Sequence, residues 1–157
     1  LDKLKSASGR FEEIIYKKKS SKIIIDYAHT PDAIQNILRS YTIKSFKPSL
    51  VFGCGGERDK SKRKKMSIIA NKYAKKVYLT DDNPRNENAN SIRKTLKKYC
   101  HKARDISNRR LAIQTAISEM HQKDILIIAG KGHEKYQIIK NKNYLFDDFK
   151  VAKDFIK

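Results

Sequence analysis

The sequence predicts an α/β fold, a mostly parallel sheet with helices on both faces and a short antiparallel edge hairpin. Three observations carry this. Four short runs are apolar throughout, helical apolar spacing separates them, and no linker or low-complexity tract interrupts the alternation. At 157 residues the chain is the size of one ordinary domain with a single sizeable core.

The apolar runs are Ile23-Ile24-Ile25, Ser49 to Phe52, Val77-Tyr78-Leu79 and Ile125 to Ile128. Runs without polar alternation suit strands covered on both faces, as parallel strands are. Between them Ile34, Ile37, Leu38 and Tyr41 follow the i, i+3, i+4, i+7 rule. So do Met66, Ile69, Ala70 and Tyr73, then Ile92, Thr95, Leu96 and Tyr99, then Ile113, Ala116, Ile117 and Met120. Thr30-Pro31 supplies an N-cap and a proline at the first helical position, and Asn108 can cap a later helix. Tyr136 to Ile139 and Tyr144 to Phe146 flank Asn141-Lys142-Asn143 as a hairpin. Phe149, Ala152, Phe155 and Ile156 mark a last amphipathic helix. Strand followed by helix, four times over, is a Rossmann-like arrangement.

Composition narrows the function classes. No apolar run reaches the roughly 18 residues needed to span a bilayer, and Leu1 to Arg10 lacks the apolar stretch of a signal peptide. The first residue is not Met, so a longer parent protein is expected. Cys54 and Cys100 form no CxxC; with four scattered histidines and no HExxH, no metal site is expected. A reduced, cytoplasmic protein is the expectation, as a monomer with no membrane and no nucleic-acid partner. The net charge of +19 comes from 36 Lys and Arg against 17 Asp and Glu. That balance leaves a basic α/β nucleic-acid-binding module as an alternative. Lys17 to Lys19, Lys62 to Lys65, Lys75-Lys76 and Lys97-Lys98 are instead spread along turns and polar helix faces, without the interleaved aromatics of an RNA-binding sheet.

In open α/β sheets ligands bind beyond the carboxyl ends of the strands, which directs attention to four loops. In the first, Asp26-Tyr27-Ala28-His29, a carboxylate ends a strand and a histidine precedes a helix; ordinary backbone capping is the bland alternative. The second, Gly53-Cys54-Gly55-Gly56-Glu57-Arg58-Asp59-Lys60, fits neither GxGxxG nor the Walker A pattern. A tight turn that pushes Arg58 outward fits better. The third, Thr80-Asp81-Asp82-Asn83-Pro84-Arg85, sets two adjacent carboxylates at a strand end, where they need a cation or solvent. Asn-Pro is a turn former and puts Asp82 and Arg85 on one rim, suited to a ligand bearing both an ammonium and a carboxylate. An internal Asp82–Arg85 salt bridge is the alternative. The fourth, Gly130-Lys131-Gly132-His133-Glu134, adds a second carboxylate. Five of the six glycines fall in the second and fourth loops. Neither a Ser-His-Asp set nor an activated Cys is evident. These residues describe a binding domain rather than a complete enzyme.

These loops, in this order, with Ser8-Gly9-Arg10-Phe11-Glu12 before them, resemble the C-terminal domain of the Mur ligases. The likeness is nearest to members that add meso-diaminopimelate to UDP-N-acetylmuramoyl-L-alanyl-D-glutamate in peptidoglycan precursor synthesis. Five motifs in consistent order span nearly the whole chain. The resemblance implies an ATP-dependent amide ligase working through an acyl phosphate. ATP and Mg2+ would be bound mainly by a central domain outside this sequence, with UDP-MurNAc-dipeptide bound through the missing domains. Residues 1–10 would then be a remnant of that central domain and 11–157 the C-terminal, amino-acid-binding domain, with no catalytic residue of its own and no activity alone. Carried over position by position, Arg58, Asp82, Asn83, Pro84, Arg85, Gly130 and Glu134 fall on the family's amino-acid site. Arg10, Asp26, Tyr27 and His29 fall where the C-terminal domain touches ATP. In this family Asp-Asn-Pro-Arg goes with meso-diaminopimelate, while lysine-adding relatives usually lack the Arg. A lysine-adding relative is the alternative.

Overall fold

The computed structural model describes residues 11–157. Six strands form one sheet: β1 (Phe11–Tyr16), β2 (Ser21–Asp26), β3 (Ser49–Phe52), β4 (Val77–Leu79), β5 (Arg104–Asp105) and β6 (Ile125–Ala129). Their order is β1-β2-β6-β3-β4-β5, parallel except for β1 against β2. The four apolar runs are therefore strands β2, β3, β4 and β6. The central ones, β3 and β4, have no exposed residue, which is why they show no polar alternation.

Helices α1 (Pro31–Ser40), α2 (Ser61–Tyr73) and α3 (Ala89–Tyr99) cover one face. There Ile34, Leu38, Met66, Ala70, Ile92 and Leu96 pack on Ile24, Leu50, Phe52, Leu79 and Ile127. Helices α4 (Arg109–Ser118) and α5 (Asp148–Phe155) cover the other. There Ala112, Ile113, Ala116, Ile117, Val151 and Ala152 meet Ile23, Ile25, Val51, Tyr78, Leu126 and Ile128. Consecutive strand residues thus serve opposite cores, as the two-residue period of a strand requires.

Caps fix where the helices begin. Thr30 Oγ1 accepts from Ala33 N at 3.2 Å, with Pro31 in the first turn. Asn108 Oδ1 accepts from Leu111 N at 2.9 Å, as the sequence predicts. Asn88 and Asp147 do the same for α3 and α5.

The hairpin forms as β7 (Tyr136–Ile139) and β8 (Lys142–Leu145), and it makes a two-stranded sheet of its own. The antiparallel edge of the main sheet is supplied by β1 instead. Neither β1 nor β5 shows in the apolar pattern: only Ile14 of β1 is buried, and both residues of β5 are exposed. No helix among the described residues is long and apolar enough to cross a membrane.

Candidate functional site

Four of the five parallel strands, β2, β3, β4 and β6, point their carboxyl ends to one edge, and the loops that follow them meet there around a cleft of about 270 Å³. Six of the seven residues expected at an amino-acid site line it: Arg58, Asp82, Asn83, Arg85, Gly130 and Glu134. Pro84 stands behind the wall. Its carbonyl oxygen lies where a side chain on Gly56 would have to go, 1.9 Å from an ideal Cβ, so only glycine permits the second and third loops to touch. Gly56 N closes the contact on Asn83 O at 2.8 Å.

The two adjacent carboxylates of the third loop part company. Asp81 turns away from the cleft and pairs with Arg93, which also donates Nε to Asp105 at 2.6 Å. Burial still raises the Asp81 pKa, against the pull of Arg93. Asp82 faces the cleft and has Lys131 Nζ at 3.3 Å. Repulsion between neighbours is thus met by a different cation for each. The alternative of an internal Asp82–Arg85 bridge is not what forms. Arg85 Nη1 donates to the carbonyls of Gly56 at 2.9 Å and Asn83 at 3.4 Å, and its guanidinium makes no ion pair among the described residues.

Arg85 sits at φ 53°, in the left-handed region. The hairpin holds it there: Arg85 N donates to Ile138 O at 3.1 Å, and Lys140 N donates to Arg85 O at 2.7 Å. Gln137 Nε2 adds bonds to the carbonyls of Asp81, 3.2 Å, and Asp82, 2.9 Å. The strand pair therefore works as a clamp on the third loop.

In the second loop the left-handed residue is Glu57, φ 54°, and none of Gly53, Gly55 and Gly56 has positive φ. Glu57 N donates to Glu87 Oε1 at 2.7 Å. This bond and Arg63, 3.1 Å from the same carboxylate, hold the Glu87 pKa down. The turn leaves Arg58 exposed, as expected, with only a long 3.4 Å bond to its neighbour's carbonyl.

The fourth loop brings what sequence reading missed. Lys131 is wholly buried. Its Nζ donates to Asn83 Oδ1 at 2.6 Å and Tyr136 O at 2.8 Å, with Glu134 Oε2 at 3.6 Å. Burial lowers its pKa and Asp82 opposes that. One lysine among many in a chain of charge +19 carries no sequence mark of burial. Gly130, at φ 112°, has Asp82 Oδ2 2.8 Å from the place of a Cβ. Beneath the loops Arg109 makes a two-pronged pair with Asp148, 2.8 and 2.7 Å, and donates to Ala129 O at 3.1 Å. Both side chains are fully buried; burial works against the Arg109 charge, but Asp148 more than offsets it and the pKa rises. Lys62 of α2, also missed, lines the cleft and donates to His29 O at 3.1 Å.

The residues expected near ATP lie beside this cleft. Asp26, Tyr27 and His29 line a second cavity of about 490 Å³, and Tyr27 and His29 border both. Arg10 lies outside the described residues, as do Ser8 and Gly9. Asp26 accepts from Ala28 N at 2.7 Å and His29 Nδ1 bonds Tyr27 O at 2.8 Å, so the local capping alternative describes their bonds correctly. Burial raises the Asp26 pKa despite that bond. The Tyr27 ring stands 4.5 Å from His29 and 5.8 Å from His133, an aromatic wall for the cavity. Burial pushes the Cys54 thiol up to about 12, which leaves it no nucleophile at neutral pH. Among the described residues no three of His, Cys, Asp or Glu come together as metal ligands.

Comparison with known proteins identifies the family. The profile of the family described as Mur ligase, glutamate ligase domain, matches residues 9–132. A UDP-N-acetylmuramoyl-L-alanyl-D-glutamate–2,6-diaminopimelate ligase of Buchnera aphidicola is 46% identical over 160 residues, covering 98% of this chain and 31% of that protein. The ligase of the same name from Rickettsia rickettsii is 44% identical over 162 residues, covering 100% and 33%. A solved structure of such a ligase superposes with a TM-score of 0.85 at 37% identity, over 98% of this chain and 32% of that one. A folylpolyglutamate synthase from Thermotoga maritima, at 23% identity and a TM-score of 0.56, covers 80% of this chain and 28% of its own and shares the fold. The chain spans about a third of the length of the curated relatives it matches. By profile, sequence and fold alike, the chain belongs to the Mur ligase family, as its glutamate ligase domain.

Proposed function

We propose that this chain is the amino-acid-binding domain of an ATP-dependent ligase that joins meso-diaminopimelate to UDP-N-acetylmuramoyl-L-alanyl-D-glutamate in the cytoplasm. The observation that carries the reading is the charge pattern of one cleft. Asp82 and Glu134 share the cleft with Arg58 and Arg85, whose guanidiniums make no ion pair among the described residues. A ligand end bearing both an ammonium and a carboxylate complements such a pattern, since carboxylates bind ammonium and Arg grips carboxylate. The far end of diaminopimelate has both groups, whereas lysine has the ammonium alone. The names of the similar ligases point the same way.

ATP would meet this domain at the aromatic wall of Tyr27 and His29 beside Asp26, where the second cavity adjoins the first. When bound it supplies the phosphoryl group that activates the acceptor carboxylate. The described residues offer no phosphate loop and no metal-ligand cluster, so binding of the triphosphate and Mg2+ is assigned to the remaining two thirds of the enzyme. This chain's own task is to hold and orient the incoming amino acid. Alone it is expected to be inactive.

The test is a full-length assay offering diaminopimelate and lysine in competition, with Arg85→Ala as the variant. Diaminopimelate should win in the wild type. The variant should raise the KM for diaminopimelate roughly tenfold to a hundredfold, the effect of losing a charge-assisted contact worth about 1.5–3 kcal/mol. The KM for ATP should stay nearly unchanged. Preference for lysine in the wild type, or equal effects on both substrates, would overturn the reading.

A further inference from the structure

We infer that Lys131 is a positioning residue that sets the polarity of the cleft, turning the Asn83 amide into a fixed donor and limiting the floor to one unbalanced negative charge. The inference rests on the amino-acid reading above and adds a residue to it.

Valence fixes how the Asn83 amide stands. An ammonium can only donate, so the Asn83 atom 2.6 Å from Lys131 Nζ must be the amide oxygen. Ile138 N donates to the same oxygen at 2.9 Å. Both lone pairs of Asn83 Oδ1 are then occupied, and a flipped amide would set NH2 against two donors. Nδ2 is left facing Glu134 Oε2 at 3.3 Å, in a residue that lines the cleft. Asn83 can therefore present only N–H to a ligand, which suits a carboxylate and not an ammonium.

The charge count follows from the same lysine. Asp82 and Glu134 both lie within ion-pair distance of Lys131, at 3.3 and 3.6 Å. Two carboxylates share one ammonium, so the floor has a single negative charge to offer. Arg58, Lys62 and Arg85 line the same cleft. A ligand end with one ammonium and one carboxylate answers both the floor and these cations; an end with an ammonium alone answers only the floor. Without the Lys131 charge the floor carries two negatives, and an ammonium-only end gains ground. Lys131 itself reaches no solvent, since its side chain is wholly buried, so its influence passes through Asn83, Asp82 and Glu134.

The experiment uses the full-length enzyme with diaminopimelate and lysine as separate substrates. Lys131→Gln keeps a donor for Asn83 and removes the charge; Lys131→Arg keeps the charge. Expected for Lys131→Gln are a KM for diaminopimelate raised roughly tenfold, an unchanged KM for ATP, and a fall of similar size in the preference for diaminopimelate over lysine. Lys131→Arg should recover part of that preference. Unchanged preference in a folded Lys131→Gln enzyme overturns the inference, as does an equal rise in both KM values. Should Lys131→Gln fail to fold, Asn83→Asp answers the same question, because it keeps the oxygen toward Lys131 and replaces the donor. It should weaken diaminopimelate and favour lysine, and wild-type values would overturn the inference. A wild-type enzyme that ignores diaminopimelate is a different result, the failure of the proposed function.

Discussion

Two sets of cations stand at the same sheet edge and behave in opposite ways. Arg63, Arg93, Arg109 and Lys131 are buried, and each has a carboxylate of its own, in Glu87, Asp81, Asp148 and Asp82. Arg58 and Arg85 border the cleft and bond only backbone carbonyls. A buried charge without a partner costs several kcal/mol, so the first set must be answered within the chain. The second set is left for something else to answer. The contrast separates cations that build the site from cations proposed to meet a ligand, in a chain whose surplus of Lys and Arg would otherwise conceal both.

The largest expected effect breaks the comparison on the structural side. Arg109→Met removes one partner of a fully buried, two-pronged pair and strands Asp148. Loss of about 3–5 kcal/mol in urea unfolding is expected. A loss below about 1 kcal/mol would mean that the two sets do not differ in kind. On the ligand side Arg58→Ala should do the reverse. Stability should hold within about 0.5 kcal/mol, as for exposed substitutions. The KM for diaminopimelate in the full-length enzyme should rise by about tenfold, less than for Arg85→Ala, because Arg58 is exposed and its contact more solvated. A stability loss without a KM change would move Arg58 into the structural set.

The smallest effect concerns a carboxylate that the fold holds against its preference. Burial raises the Asp26 pKa, so the folded state binds its proton more tightly than the unfolded chain does. The contribution is fully favourable below the unfolded value of 3.8 and is lost as pH rises through the raised folded value. Asp26→Asn should therefore raise the Tm slightly at pH 7, with the gain fading below pH 4. A gain that grows toward low pH has the wrong sign and would refute the assignment.

Much of this was legible in the sequence, for definite reasons. Ile23 to Ile25 and Ser49 to Phe52 announce strands because helices cover both faces of them. Arg58, Asp82, Arg85 and Glu134 could be grouped because loops after parallel strands converge by topology, whereas Asn83 and Gly130 joined them only through the family resemblance. What stayed hidden is what depends on long-range pairing. β1 buries only Ile14, and β5 is two exposed residues held by backbone bonds to β4. Lys131 looks like any other lysine until the chain folds around it. The direction of the Asp81 side chain, away from its neighbour Asp82, is set by Arg93, twelve residues on. The hairpin reads as a strand pair from its residues, but its grip on Arg85 lies in backbone bonds that no side-chain pattern encodes.

That grip has a thermodynamic consequence. Two strands alone are marginal in water, and every residue of β8 is exposed. Arg85 is in turn held at its left-handed φ by bonds to this hairpin. Loop and hairpin thus order one another, and neither is rigid at the other's expense. A substitution in β7 or β8 that weakens these bonds is therefore expected to loosen Arg85, and with it the proposed ligand contact, without touching any ligand atom.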